Sequence, residues 1–189
     1  MASELAGYNE LMKHPIISGR GKLLSPKAVM VLLLWLPMVA WGAVTEISGN
    51  VIHIVDGDTF DVLDSRHETT RIRVSCMDTP EKGQPFYRRA KDALVDLIHG
   101  RQVLVKAYKH DRYGRLIGEL ADLDLCHTMI ASGMAWHNQP YARELAPGRA
   151  DLLIEAEQGA KMRRTGVWTD TSPQPPWEFR RQQREAHSR

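Results

Sequence analysis

The chain has 189 residues and a formal net charge of +2, with ordinary proportions of apolar and charged side chains. Length and composition predict one globular domain with its own hydrophobic core and terminal extensions. The small positive charge lies within residues 1–42, so the rest of the chain is not the strongly basic surface of a general nucleic-acid-coating protein. Two cysteines, Cys76 and Cys126, exclude a four-cysteine metal knuckle and allow one disulfide.

Residues 1–42 form an N-terminal leader around the apolar run 28–41. This run is shorter than the ~20 residues that span a bilayer. Basic residues precede it and small residues follow it, which is typical of an export signal cut before Ala43. We therefore expect a periplasmic or secreted protein. An uncleaved anchor in the cytoplasmic membrane and a buried core helix remain alternatives for the same run.

The first two strands are predicted on either side of a tight turn. Residues 44–55 have strand character, and Asp56 begins a turn signal. Asp58 opens the return strand and shares a face with Phe60 and Val62. The pattern places Asp58 at the end of a core-facing row, at the mouth of a barrel, whereas Asp56 is interpreted as a turn-forming residue.

The third strand is predicted within residues 71–81. Ile72, Val74 and Cys76 alternate with polar or exposed positions, the period-2 pattern of a half-buried strand. Pro80 cannot donate to a sheet ladder. The strand is therefore expected to continue to about Asp78 and to end there.

The turn after this strand carries oxygen groups suited to a hard cation. It presents the carboxylates of Asp78 and Glu81 and the backbone carbonyl of Thr79, and Ca²⁺ or Mg²⁺ prefers such ligands. Arg73 precedes Asp78 closely enough to share its site. Carboxylates beside an arginine suit metal-assisted phosphodiester chemistry, in which the guanidinium binds phosphate oxygens.

The remaining elements complete an α+β, mainly β, architecture. Five short strands with a helix between the third and fourth predict an OB-fold barrel. Three helices are expected. The predicted elements are a helix at 85–98, strands at 102–108 and 115–121, a short helix from the cap Asp124 to Gly133, a long helix at 143–165, and a proline-rich, then basic tail at 171–189 that is mostly disordered.

Three motifs occur together in the chain: Asp-Gly-Asp-Thr at 56–59, an arginine followed by Asp-Thr-Pro-Glu within 73–81, and Tyr-Gly-Arg at 113–115. In this order the chain resembles the thermonucleases of the staphylococcal nuclease-like family. The resemblance covers about residues 44–170. It implies a nuclease domain at 43–170 with the five-stranded OB-fold barrel of that family.

The resemblance implies a Ca²⁺-dependent endonuclease that hydrolyses DNA and RNA with low sequence specificity and leaves 3′-phosphate ends. It also implies a role for each matching residue: Asp58, Asp78 and the Thr79 carbonyl as metal ligands, Arg73, Glu81 and Arg115 as catalytic residues, and Tyr113 and Tyr141 beside the bound nucleotide. A monomer is expected, with possible membrane contact only through residues 28–41.

Two questions stay open at this stage. The rival function is a non-catalytic OB module that binds nucleic acid or a protein partner, although all five charged site residues are present. The second question is the state of Cys76 and Cys126. Export would permit a disulfide, but the preferred interpretation is two buried free thiols, since sequence does not give their separation.

Overall fold

The computed structural model describes residues 44–140 and 145–188. Strands are numbered along the chain as β1 (Thr45–Ile54), β2 (Thr59–Asp64), β3 (Thr69–Val74), β4 (Met77–Asp78), β5 (Gln102–His110), β6 (Leu116–Leu120) and β7 (Trp136–His137). Helices are α1 (Tyr87–Ile98), α2 (Leu125–Ala131), α3 (Arg149–Arg163) and α4 (Pro176–His187), with a 3₁₀ turn at Gly166–Thr169.

Five strands close into a barrel in the order β1-β2-β3-β6-β5. Neighbouring strands are antiparallel except β3 and β6, which are parallel. Apolar side chains that alternate along the strands fill the interior, among them Phe60, Val62, Ile72 and Val105, all buried. The predicted five-stranded, OB-like barrel is therefore confirmed, and burial of this apolar surface drives its closure.

The predicted continuous strand from residue 71 to 78 is wrong in one respect. β3 ends at Val74, and the chain leaves the barrel after Ser75, whose N–H still donates to the Gly118 carbonyl at 3.1 Å. Met77 and Asp78 then pair with β7 instead of a barrel strand. All residues from Val74 to Pro80 are buried, so the alternation of buried and less buried positions ends with β3. The sequence still alternates over Val74, Ser75 and Cys76 and therefore did not reveal the change of partner.

The predicted helices are present with shifted ends. α1 begins at Tyr87, and α2 begins after Asp124, whose carboxylate accepts the N–H of His127 at 2.9 Å as the predicted cap. α3 begins only at Arg149, because residues 145–148 form a turn that ends with Gly148 at φ 77°. The barrel, α2 and α3 bury one continuous core that includes Leu153.

The prediction of three helices and a disordered tail is wrong, since α4 is a fourth helix. It begins with Pro176, a residue favoured in the first turn of a helix because its missing N–H would be unpaired there. The preceding segment is held to the body of the protein by Gln84, whose side-chain amide donates to the Gln174 carbonyl at 3.0 Å. The proline-rich stretch is thus a connector between two helical segments.

The preference for free thiols is also wrong, because Cys76 and Cys126 form a disulfide. Their Cα atoms lie 6.1 Å apart, within the range that a disulfide bridges. The bond ties the segment just before β4 to α2. It therefore fixes the position of Asp78, two residues further along the chain.

The leader and its apolar run 28–41 lie outside the described residues, and so does Tyr141. Within residues 44–140 and 145–188, none of the helices is long and apolar enough to cross a membrane.

Candidate active site

A cleft of about 1360 Å³ opens at the mouth of the barrel. The turn before β2, strand β4 with the loop that follows it, the loop between β5 and β6, and α4 all contribute to its walls. The acidic and basic side chains that line it are Asp56, Asp58, Arg73, Asp78, Glu81, Lys82, Asp111, Arg112, Arg115, Arg180, Arg184 and His187. Seven of the eight site residues predicted from the sequence lie in or along this cleft, and Tyr141 is not described.

Arg73 joins the two predicted aspartate ligands. It lies on β3 opposite Thr59 of β2, and this register brings its guanidinium to the turn that carries Asp58. The guanidinium forms an ion pair with Asp58, and its Nη2 lies 2.9 Å from the Oδ1 of Asp78. Burial would lower the pKa of Arg73, but the two carboxylates outweigh it and raise the pKa, so this side chain stays charged.

Asp58 is buried and held from several sides. The N–H and the hydroxyl of Thr79 each donate to its Oδ2 at 3.2 Å, and the hydroxyl of Thr59 donates to its Oδ1 at 2.9 Å. Burial alone would raise the pKa of Asp58, but the Arg73 guanidinium, and next the hydrogen bonds with Asp56 and Thr59, lower it below the ordinary value. Asp58 is therefore an ionised carboxylate in a fixed orientation, as a metal ligand must be.

The approach of Thr79 to this turn requires glycine at position 57. A Cβ atom at Gly57 would lie 2.7 Å from the hydroxyl oxygen of Thr79. Glycine at the centre of the Asp-Gly-Asp motif is therefore required by packing as well as by the turn. Any side chain there would push Thr79 away from Asp58.

Asp56 contributes another carboxyl to the cleft. As predicted for a turn residue, its Oδ1 accepts the backbone N–H of Asp58 at 3.1 Å. Burial, and next the negative charge of Asp58, raise the pKa of Asp56 to about 7. The raised pKa shows that Asp56 and Asp58 do not readily carry two negative charges side by side, whereas the charge of Asp58 is already compensated by Arg73.

Arg180 is a site residue that the sequence analysis missed. Its Nη2 lies 2.7 Å from the Oδ2 of Asp78, and its Nη1 lies 2.5 Å from the Oε1 of Glu81. Burial would lower the pKa of Arg180, but these carboxylates raise it. One signal could have identified the helix: after Pro176, the residues Trp177, Arg180 and Arg184 recur at helical spacing.

Arg115 and Tyr113 form a separate wall of the cleft. The Nε of Arg115 donates to the Oδ2 of Asp111 at 2.7 Å, and its guanidinium carbon lies 5.5 Å from the centre of the Tyr113 ring. The ring of Tyr113 is 68% exposed and also contacts Arg112. The structure thus places Arg115 beside the cleft in an ion pair with Asp111, where its remaining donors face the cleft together with an exposed aromatic ring.

The donor set fits a hard divalent cation in its chemistry. Asp58 and Asp78 are buried carboxylates with Arg73 between them, and Thr79 is adjacent to both. Each of Asp78 and Glu81 also faces the Arg180 guanidinium. In the part of the chain that the structure describes, the group of three His, Cys, Asp or Glu residues whose ligand atoms all lie within 4.8 Å of one another is Cys76, Glu119 and Cys126, and two of these residues form the disulfide. The cleft carboxylates are instead separated by arginines.

Comparisons with known proteins agree with the sequence motifs. A family model described as staphylococcal nuclease homologue matches residues 71–170. A micrococcal nuclease of Shigella flexneri is 36% identical over an alignment of 172 residues that covers 84% of this chain and 92% of that protein. An "Uncharacterized endonuclease" of Escherichia coli O157:H7 is 33% identical over 138 residues, covering 71% of this chain and 86% of that protein. The staphylococcal-like nuclease CAN1 of Arabidopsis thaliana is 34% identical over 120 residues, 60% of this chain and 34% of that protein.

Proposed function

Because the chain belongs to the staphylococcal nuclease-like family, we propose that it is a Ca²⁺-dependent endonuclease that hydrolyses phosphodiester bonds in DNA and RNA. The single observation that carries this proposal is the contact of one arginine, Arg73, with two buried aspartates, Asp58 and Asp78, at the barrel mouth. Glu81 and Arg115 line the same cleft. A binding module would not need this set of five charged residues.

Asp58, Asp78 and the Thr79 carbonyl would hold the cation. When bound, Ca²⁺ would supply neutralisation of phosphate charge and a lower pKa for the attacking water. Besides its carbonyl, Thr79 contributes its N–H and hydroxyl, which donate to Asp58 and fix the rotamer of that ligand. The disulfide at Cys76 restrains β4 and therefore Asp78. These contacts pre-organise the ligands before a cation arrives.

Glu81 is the proposed proton acceptor. Its backbone N–H donates to Gln84 at 2.8 Å, which holds the start of the loop while the carboxylate reaches the cleft. A water molecule between this carboxylate and the phosphate would lose its proton to a Glu81 oxygen as it attacks phosphorus. The bond from phosphorus to the 5′ oxygen breaks, this oxygen takes a proton from solvent and leaves as a 5′-hydroxyl, and Glu81 returns its own proton to solvent, which gives the proposed 3′-phosphate end.

Arg73 and Arg115 are the proposed phosphate ligands. Each guanidinium keeps N–H donors beyond those in its ion pairs. Both would stabilise the phosphoryl group as negative charge builds on its oxygens in the transition state. Tyr113, exposed beside Arg115, and Tyr141 are proposed to pack against the nucleotide. Such contacts grip phosphate, sugar and ring faces, so low sequence specificity is expected.

The experiment is digestion of supercoiled plasmid and of RNA by the purified protein with Ca²⁺, with Mg²⁺ and with EGTA, followed by end-group analysis of the products. The proposal expects cleavage of both substrates with Ca²⁺, none with EGTA, and 3′-phosphate ends. Binding of nucleic acid without cleavage under any metal would instead support the non-catalytic binding module.

Export of the protein is a separate proposal that rests only on the leader sequence. Mass spectrometry of the protein recovered outside the cytoplasm should find an N-terminus at Ala43. Retention of residues 1–42 in a membrane fraction would support the anchor instead.

A further inference from the structure

Helix α4 forms one wall of the cleft. Trp177, Arg180, Arg184 and His187 recur on one face of the helix, and all four line the cleft. This face is basic, whereas the opposite wall carries the carboxylates of Asp58, Asp78 and Glu81. The charges of the helix and of the site are therefore complementary.

Arg180 binds the oxygens that the proposed metal chemistry requires. The Oδ1 of Asp78 accepts from Arg73 at 2.9 Å and from Arg180 at 3.1 Å, and its Oδ2 accepts from Arg180 at 2.7 Å. The Oε1 of Glu81 accepts from the same guanidinium at 2.5 Å. One side chain thus engages a proposed metal ligand and the proposed proton acceptor together.

A cation bound to Asp78 and the guanidinium of Arg180 would compete for the same carboxylate. Ca²⁺ ligands lie about 2.3–2.6 Å from the ion, so both positive groups would lie within a few ångströms of each other. Two like charges at that separation in a partly buried site repel strongly.

The attachment of α4 allows it to be displaced. The helix has 12 residues, a length at which an isolated helix is only marginally stable, and residues 181–188 are exposed. Besides Arg180, the attachments of α4 are its buried first residue, Pro176, the Gln84–Gln174 hydrogen bond, and Phe179, whose ring lies beside Gly83. Gln84 and Gly83 belong to the loop that begins at Glu81 and not to the barrel. Release of α4 would therefore leave the barrel strands in place.

We propose that Arg180 is an internal competitor for the divalent cation: it pairs with Asp78 and Glu81, and a bound cation displaces it and α4 from the site. This inference rests on the proposed function, because it concerns the regulation of the same site. It makes cation affinity depend on two states of the helix: the apparent affinity is the intrinsic affinity multiplied by the fraction of molecules in which the helix is displaced, because only those molecules can bind the cation.

Titration calorimetry with Ca²⁺ tests the competition without reference to activity. Arg180→Gln should bind Ca²⁺ about tenfold more tightly than the unchanged protein. Arg181→Gln is the matched control, because it removes the same charge from an exposed position of the same helix; its affinity should change by no more than about twofold. Equal affinities of the two variants would overturn the proposal.

Hydrogen exchange of the unchanged protein provides a second measurement. Amides of residues 177–187 should exchange faster in saturating Ca²⁺ than in EGTA, while those of α1 should not. Unchanged exchange in α4, with Ca²⁺ binding verified by calorimetry, would overturn the displacement. If Ca²⁺ binds and nucleic acid is cleaved but both tests are negative, only this inference fails. If no Ca²⁺ binds to any of the proteins, the proposed function fails with it.

Discussion

Two arginines reach Asp78 from different parts of the molecule, and they are held in different ways. Arg73 lies on β3, which pairs with β2 on one side and β6 on the other, and its side chain is 14% exposed. Arg180 lies on α4, 102 residues beyond Asp78, and its side chain is 37% exposed. The barrel mouth is therefore the fixed part of the cleft, whereas α4 is the part that local opening would release first.

The largest effect on turnover is expected from a change on the side of the cleft that the barrel mouth forms. Glu81→Gln should lower turnover on the order of 10³-fold, because the amide does not accept the proton from water. Binding of Ca²⁺ should persist, since Asp58 and Asp78 are unchanged. Steady-state cleavage of plasmid and calorimetry measure the two quantities. Glu155→Gln, on the exposed face of α3, is the control. Near-normal turnover of Glu81→Gln would remove Glu81 from the mechanism.

Reduction of the Cys76–Cys126 disulfide should lower the stability of the protein without removing any of the proposed site residues. We expect the free energy of unfolding to fall by about 2–4 kcal/mol, because the bond closes a long loop with a sequence separation of 50. Urea unfolding with and without reductant measures this. The double variant Cys76→Ala/Cys126→Ala should not respond to reductant. A response of that variant equal to that of the unchanged protein would contradict the assignment.

A substitution of Arg115 tests whether phosphate binding at this wall of the cleft needs the planar guanidinium or only a positive charge. Arg115→Lys should lower kcat/KM by roughly 10²-fold, because lysine keeps the charge but lacks the planar fork of donors. The same change at the exposed Arg101 is the control. If Arg115→Lys cleaves DNA normally, bidentate binding of phosphate by this residue is wrong.

A smaller effect is expected from crowding the Asp56–Asp58 turn. In Gly57→Ala the new methyl group would displace Thr79, which should cost about 1–3 kcal/mol of stability and lower activity about tenfold. Gly159→Ala is the matched control, because its Cβ would meet only the end of the flexible Arg163 side chain at 3.0 Å. Thermal unfolding and cleavage rates measure both changes, and a fully active Gly57→Ala would show that Thr79 need not approach Asp58.

The smallest effect is expected on the free energy of unfolding, from the ion pair of Asp124 with Arg149, which does not line the cleft. The hydrogen bond to Arg149 lowers the pKa of Asp124, so the pair stabilises the folded state above the ordinary aspartate pKa of ~4. This contribution is lost as the pH falls through the lowered folded value. Asp124→Asn should cost about 0.5 kcal/mol at pH 7, because Asp124 is 47% exposed and solvent screens the pair.

Chemical unfolding as a function of pH measures this difference. It should disappear in acid, while Asp96→Asn on an exposed face of α1 should show no such trend. A cost that does not change with pH would assign the effect to the helix cap instead of the ion pair.

The sequence predicted the fixed side of the cleft better than the displaceable side. Asp58, Arg73 and Asp78 lie on or next to strands whose alternation is a local signal, and the β2–β3 register brings the first two together. The break after Val74 was not visible, because the sequence still alternates over Val74, Ser75 and Cys76, and nothing local shows that β4 pairs with β7 instead of a barrel strand. Pairing of that kind is a property of the tertiary structure.

Arg180 could not be assigned to the site from local signals. Its partner Asp78 is distant in the sequence, and Pro-Gln-Pro-Pro before α4 is typical of an extended tail. The disulfide was missed for a similar reason, since the approach of α2 to the end of β3 decides whether the two cysteines meet. Local pattern fixes elements, whereas ion pairs between distant elements depend on packing.

The measurement that tests the account most directly compares plasmid cleavage by the unchanged protein and by Asp58→Asn in Ca²⁺ and in EGTA. The account predicts cleavage by the unchanged protein in Ca²⁺ alone and its loss in Asp58→Asn. Equal cleavage by the two proteins, or no cleavage by the folded unchanged protein, would contradict a metal-dependent nuclease site at the barrel mouth.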